Sequence, residues 1–231
     1  MQGNTANGFF IFDRIHLSWL VLIGLLLVLS IYYYRQTTHH KQQLFQRCTF
    51  WLLLFLELAK QLYLVVTDQY SYWSPPLHLC GIGIFLAGWH AYFPGRTTAT
   101  LLYALTLPGA AIALLFPGWT ADPVFQFLHI HSFLFHALLL AFILPLVVTK
   151  QFTLRLRDLW RAVSFLVLIV PVIYSYNAHF HTNFMFLNRP VAHTPLQWLY
   201  DAFGASGYLV SLSAVICLLW LFMYLPIRRT K

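Results

Sequence analysis

Pro75-Pro76-Leu77-His78-Leu79-Cys80 sets an imidazole and a thiol two positions apart at the start of an apolar run. A thiol with a base beside it can attack an acyl carbon. Residues two apart on a helix, however, point to nearly opposite faces, so the partner of Cys80 is expected from another segment and not from His78. Glu57-x-x-Lys60-Gln61 is the only apolar run with charges of both signs well inside it, and such charges mark ion, proton or substrate sites. The same two residues at i, i+3 can equally lock helix packing as an ion pair. His129, His131 and His136 form a third group within eight residues, more imidazole than helix bridging needs. Helical spacing puts His129 and His136 on one face and His131 roughly opposite.

A polar stretch follows later: Asn177, His179, His181, Asn183, Asn188, Arg189 and His193. Its His-x-His pair suggests a metal, yet two ligands do not make a site, and an interfacial role for these histidines accounts for them as well. Cys80 is followed by Gly83 and Ala87, a small face that lets another helix approach closely and would bury the thiol. A buried free cysteine can also be no more than a small hydrophobe. Cys48 and Cys217 have no polar company, and three cysteines in separate apolar runs imply no disulfide framework.

These groups need a scaffold, and composition defines it. Of 231 residues, 60% are hydrophobic, 18% aromatic and 9% charged, against roughly a quarter charged in soluble domains. The chain reads as one all-α, polytopic membrane domain with no polar stretch long enough for a separate unit. A spanning helix needs about 20 residues. Seven runs qualify: Ile15 to Tyr34, Leu44 to Val66, Pro75 to Phe93, Thr97 to Phe116, Val124 to Val148, Trp160 to Asn177 and Ala205 to Leu225. The first lacks a basic region and a small-residue cleavage site ahead of it and is expected to stay as a helix.

The formal charge of +8 lies in short loops, so it reports orientation and argues against a nucleic-acid partner. One side collects Arg35, Lys41, Arg47, Arg96, Lys150, Arg155, Arg157, Arg161, Arg228, Arg229 and Lys231, the other only Arg14 and Arg189. The first side is expected to be cytoplasmic, with the amino terminus outside. Ser74 is placed to cap the third helix with Pro75 in its first turn, and Pro117-Gly118 ends the fourth. Pro108, Pro145 and Pro171 are expected to kink their helices without breaking them. At 1.5 Å per residue, Cys80 would lie about 8 Å, His131 about 10 Å and Glu57 roughly 13 Å below the outer ends of their segments. The polar groups thus share the outer half of the membrane, beneath the non-spanning stretch Ala178 to Gly204.

Taken in order, Glu57-x-x-Lys60, Leu77-His78-Leu79-Cys80, Leu114-Leu115-Phe116-Pro117, Phe125-Gln126-Phe127 with His131, and Asn183-Phe184-Met185-Phe186-Leu187-Asn188-Arg189-Pro190 resemble the YwaF-type bacterial integral membrane family. That family is similar to a eukaryotic family of seven-helix, cysteine-dependent phospholipid acyltransferases. The chain departs from the pattern at Phe184, usually Tyr, and at Phe116, where Thr is common. The resemblance implies a bacterial plasma-membrane protein with membrane lipid as its partner and no cofactor. It implies Cys80 as nucleophile, His131 as base and Glu57 or Asn183 orienting the imidazole. Lys60 or backbone N–H groups would hold the oxyanion, with His78, His136, Asn177 and Asn183 in substrate-binding positions. A different class stays open: a carrier or small-molecule binding protein with Glu57, Lys60 and the histidines as its intramembrane site. A retinal protein is disfavoured because the seventh run contains no lysine.

Overall fold

The computed structural model describes residues 8–152, 154–190 and 194–228, and all its regular structure is helical among them. Seven elements follow the chain: α1 (Arg14–Gln36), α2 (His39–Val66), α3 (Leu79–Tyr92), α4 (Arg96–Leu115), α5 (Phe127–Val148), α6 (Leu159–Phe180) and α7 (Pro195–Arg228). Six are long and apolar enough to cross a membrane; α3, at 14 residues, is a shorter apolar helix. Short 3-10 turns at Leu156–Asp158 and Phe184–Phe186 lie just before α6 and in the polar stretch.

Burial ranks the helices. Of the most apolar window of each, α4 is 61% and α5 56% buried, against 11% for α1 and α6, so α4 and α5 form the interior. α5 packs against α1, α2, α3 and α4, and α4 packs against α3, its neighbour across a three-residue link. Close approach of α3 to α4 depends on Gly83, where an added Cβ would come 2.6 Å from Thr106 Cγ2. The small face read from Gly83 and Ala87 is therefore the face turned to α4.

Three sequence expectations need correction. The third helix starts at Leu79 and not at Pro75, capped by His78 and not by Ser74, whose hydroxyl instead accepts from Ser71 N at 2.9 Å. Pro76 is the reason: it disfavours helical backbone at Pro75, and the chain makes a tight turn from Pro75 O to Leu77 N at 2.8 Å before His78 enters the helix in extended backbone. Second, Ala178 to Gly204 is not irregular throughout, since α6 runs on to Phe180 and α7 begins at Pro195. Gly204 (φ 66°, ψ −179°) divides α7 in a conformation open essentially to glycine alone. Third, α2 begins at His39, five residues ahead of the apolar run at Leu44.

The prolines behave as membrane prolines do, and Pro108 shows how. Lacking an N–H, it leaves the carbonyl of Ala104 without its helical donor. The turn before it widens to a π-helix over Leu102–Thr106, and the indole of Trp220 on α7 donates to Ala104 O at 2.8 Å. Tyr103 returns the link, its hydroxyl donating to Met223 O at 2.7 Å. Trp220→Phe leaves the Ala104 carbonyl buried and unpaired, which costs about 1–3 kcal/mol. Unfolding of the purified variant in detergent should show that loss, and a change within a few tenths of a kcal/mol would refute the role given to the indole.

Candidate active site

The site is built at the end of the bundle where α2 stops and α3 and α5 start. His78 caps α3 with its backbone only, and the first helical bond runs from Ile82 N to His78 O at 3.0 Å. The N–H groups of Leu79, Cys80 and Gly81 therefore have no partner among the described hydrogen bonds. Such donors at a helix start favour an anion formed beside them. Cys80 is the second helical residue, about 1.5 Å from the helix start and not 8 Å into it. Its thiol is buried, and an added Cβ on Gly109 of α4 would stand 3.5 Å from Sγ. It shares an apolar cluster with Ile84, Ala110, Leu114, Phe133, Phe135 and Leu139.

The phenyl of Phe135 joins this cluster to the imidazoles. His131 stacks on it at 5.6 Å and 15°, and His136 meets its edge at 5.4 Å. His131 is buried against the backbone of Leu56, and its Nε2 has no hydrogen-bond partner. His136 donates from Nδ1 to Ser132 O at 2.7 Å and stacks on Trp119 at 5.1 Å. Lys60 lies within electrostatic reach of His78, His131 and His136, and His136 within reach of His78 and His131. Four basic side chains from α2, α5 and the start of α3 thus surround one region. The negative charge comes from Glu57, buried on α2. Its Oε1 pairs with Lys60 Nζ at 2.8 Å and accepts from Gln61 Nε2 at 2.5 Å. Gln61 also donates to Ser74 O at 2.8 Å, which fastens the Pro75-Pro76 approach to α2.

The polar stretch folds over this end and is latched by two asparagines. Asn177, fully buried, donates to Phe184 O at 3.0 Å and accepts from Phe184 N at 2.8 Å and Thr182 Oγ1 at 2.9 Å. Asn183 donates to Arg189 O at 2.8 Å and accepts from Asn188 N at 3.0 Å and Arg189 N at 3.3 Å. Just beyond Asn183, Met185 and Phe186 adopt left-handed backbone at φ 57° and 54°, uncommon for side chains of this size. His78 holds that turn: Nδ1 accepts from Met185 N at 3.2 Å, with Phe184 and Phe186 against the ring at 5.0 and 5.1 Å. Asn177 and Asn183 are thus occupied within the protein. His78 ties the turn to α3 and stands at the edge of the basic cluster.

Cys80, Glu57, Lys60, His78, His131 and His136 therefore gather at one end, though no described hydrogen bond joins Cys80 Sγ to an imidazole. His129 looks elsewhere, its Nε2 accepting from Trp19 Nε1 of α1 at 3.0 Å. His179 lies edge-on to Phe180 and His181 is exposed; His193 lies outside the described residues. Among the described residues no three His, Cys, Asp or Glu side chains are arranged to hold a metal. Cys48 and Cys217 are exposed on the helix exteriors.

Sequence reasoning passed over two residues here. Trp119, beyond the Pro117-Gly118 break, supplies the stacking surface for His136. His16, fully buried on α1, accepts from Phe12 N at 2.8 Å and donates from Nε2 to Leu114 O at 2.8 Å, closing the end of α4. Only a histidine placed early in an apolar run signalled it.

Asn177→Leu removes three hydrogen bonds from the turn with little change in volume. Amide exchange over residues 184–188 should quicken by roughly tenfold or more, while the interior helices α4 and α5 keep their protection. Unchanged exchange at those amides would show that the latch does not hold the turn.

No curated protein and no solved structure matches the chain. The model of the TMEM164 family matches residues 11–224, which takes in the first six helices, most of α7 and every residue of the site. The chain, a helical membrane protein, belongs to the TMEM164 family.

Proposed function

We propose that the protein is a thiol-dependent acyl-transfer enzyme acting on membrane lipid esters, with Cys80 as nucleophile and His131 as base. The observation that carries the reading is the position of Cys80 at a helix start without a side-chain cap, bordering a cluster of buried imidazoles. In the first half-reaction the imidazole takes the thiol proton and sulfur attacks the ester carbonyl carbon. Collapse of the tetrahedral intermediate breaks the carbon–oxygen bond, and the leaving alkoxide takes the proton from the imidazolium. A second alcohol, or water, then releases the acyl group from the thioester by the reverse sequence. N–H groups of Leu79, Cys80 and Gly81 serve the oxyanion, a role that preorganised backbone donors fill well. Lys60 adds positive charge, Glu57 holds Lys60 in place, and His136 and His78 line the approach. Likeness to YwaF-type proteins and to the cysteine-dependent acyltransferases supports the same assignment. By the distribution of Lys and Arg the site opens at the outer face of a cell membrane.

One observation favours a second reading. The Glu57, Lys60 and imidazole cluster is complete without the thiol, whose sulfur makes no described hydrogen bond. A carrier using that cluster as a proton or substrate site needs no cysteine.

Turnover of labelled phospholipid by the purified protein separates the two. Cys80→Ala should abolish it and His131→Ala should lower it by roughly 10² to 10⁴-fold. Wild-type rates in both variants would remove the enzyme reading. Proton uptake by proteoliposomes that is lost in Glu57→Gln but kept in Cys80→Ser would put the carrier in its place.

A further inference from the structure

A cavity of about 520 Å³ lies at the opposite end of the bundle. That volume is in the range of small-molecule sites, roughly 300–1,000 Å³. It is walled by the start of α2, the link from α3 to α4 and the end of α5. Tyr92 on its wall is twelve residues along α3 from Cys80, about 18 Å at the helical rise, so this is a separate place.

Its lining has a definite donor and acceptor pattern. Arg47 and Arg96 bring positive charge, and no carboxylate lies among the lining residues. Arg96 is held from outside the cavity by Asp158 at 2.6 Å, which leaves its buried Nε without a partner. Arg47 rests over the ring of Tyr92, 4.9 Å from its centroid. Acceptors stand beside these donors. Gln46 is only 5% exposed and donates from Nε2 to Phe142 O at 3.2 Å, and its buried Oε1 makes no described hydrogen bond. His90 is also buried, with Nδ1 2.7 Å from Thr98 Oγ1. Because that hydroxyl donates to Gly95 O at 3.0 Å, His90 must donate from Nδ1, and its Nε2 is left as a bare acceptor.

A ligand that satisfies this wall carries an anion for the arginines and hydrogen-bond donors for Gln46 and His90. Unpaired buried polar atoms of both kinds are costly unless something fills them. A simple anion meets only the arginines, and a cation is repelled by them. We propose that this cavity binds a phosphoryl group whose ester carries a hydroxyl or ammonium group, with Arg47 and Arg96 on the phosphoryl oxygens and Gln46 and His90 accepting from the donor. The chemistry is shared by a lipid headgroup and a water-soluble phosphate ester.

Binding to the purified full chain in detergent tests this with three probes: glycerol 3-phosphate, dihexanoylphosphatidylglycerol and inorganic sulfate. At least one phosphorylated probe should bind saturably and about tenfold or more tighter than sulfate, which has no donor for Gln46. Arg47→Gln, at an exposed position, should weaken that probe by about tenfold. Gln46→Leu should weaken it while leaving sulfate unchanged. Binding of the lipid alone assigns the site to a headgroup, and equal or tighter binding of glycerol 3-phosphate assigns it to a soluble ester. The proposal is overturned if neither phosphorylated probe exceeds sulfate, or if Arg47→Gln binds as wild type. Should Gln46→Leu fail to fold, the Arg47→Gln comparison decides.

Discussion

Inside a bilayer a backbone N–H or C=O has no water to turn to, so each must find its partner in the protein. Much of this structure is an answer to that constraint. Pro108 takes a donor away from Ala104, the turn before it widens, and an indole from α7 fills the gap. His16 closes Leu114 O at the end of α4. The polar stretch, which carries no ladder of its own, is paired through the side chains of Asn177, Asn183 and His78. The start of α3, like those of α2, α4 and α5, has no side-chain cap. Three N–H groups in a row are left there without a described partner, and the thiol sits among them.

Charge follows the same logic. A lone carboxylate at the depth of Glu57 would be expensive, and Lys60 and Gln61 both bind its Oε1. Gln61 passes the connection on to Ser74 O, which ties the ion pair to the proline approach. The imidazoles of His78, His131 and His136 stand around Lys60.

Much of the architecture was legible in the sequence because the bilayer imposes a length on apolar runs. All seven runs correspond to helices. The start of α3 was not legible, because Pro75 reads both as a first-turn proline and as the residue before another proline, and only the second effect governs here. Residue types pointed to Glu57, Lys60, Cys80 and the histidines, and chain topology brings these to one end. What spacing could not give is the direction of each ring. His129 turns to Trp19 while His136 reaches the Lys60 cluster, although seven residues place them on nearly one helical face. Nor could it tell that Asn177 and Asn183 spend their hydrogen bonds on their own loop. The polar wall around Gln46 and His90 was hidden for a similar reason, since its members come from three distant segments.

The central claim is that sulfur at the start of α3 takes an acyl group from a lipid ester. Mass analysis of the purified protein after incubation with phosphatidylcholine examines that most directly. The account predicts a fatty-acyl adduct on the peptide that contains Cys80, released by neutral hydroxylamine and absent from Cys80→Ser, with Cys48 and Cys217 unmodified. An active protein whose Cys80 carries no acyl group at any time during turnover would contradict it.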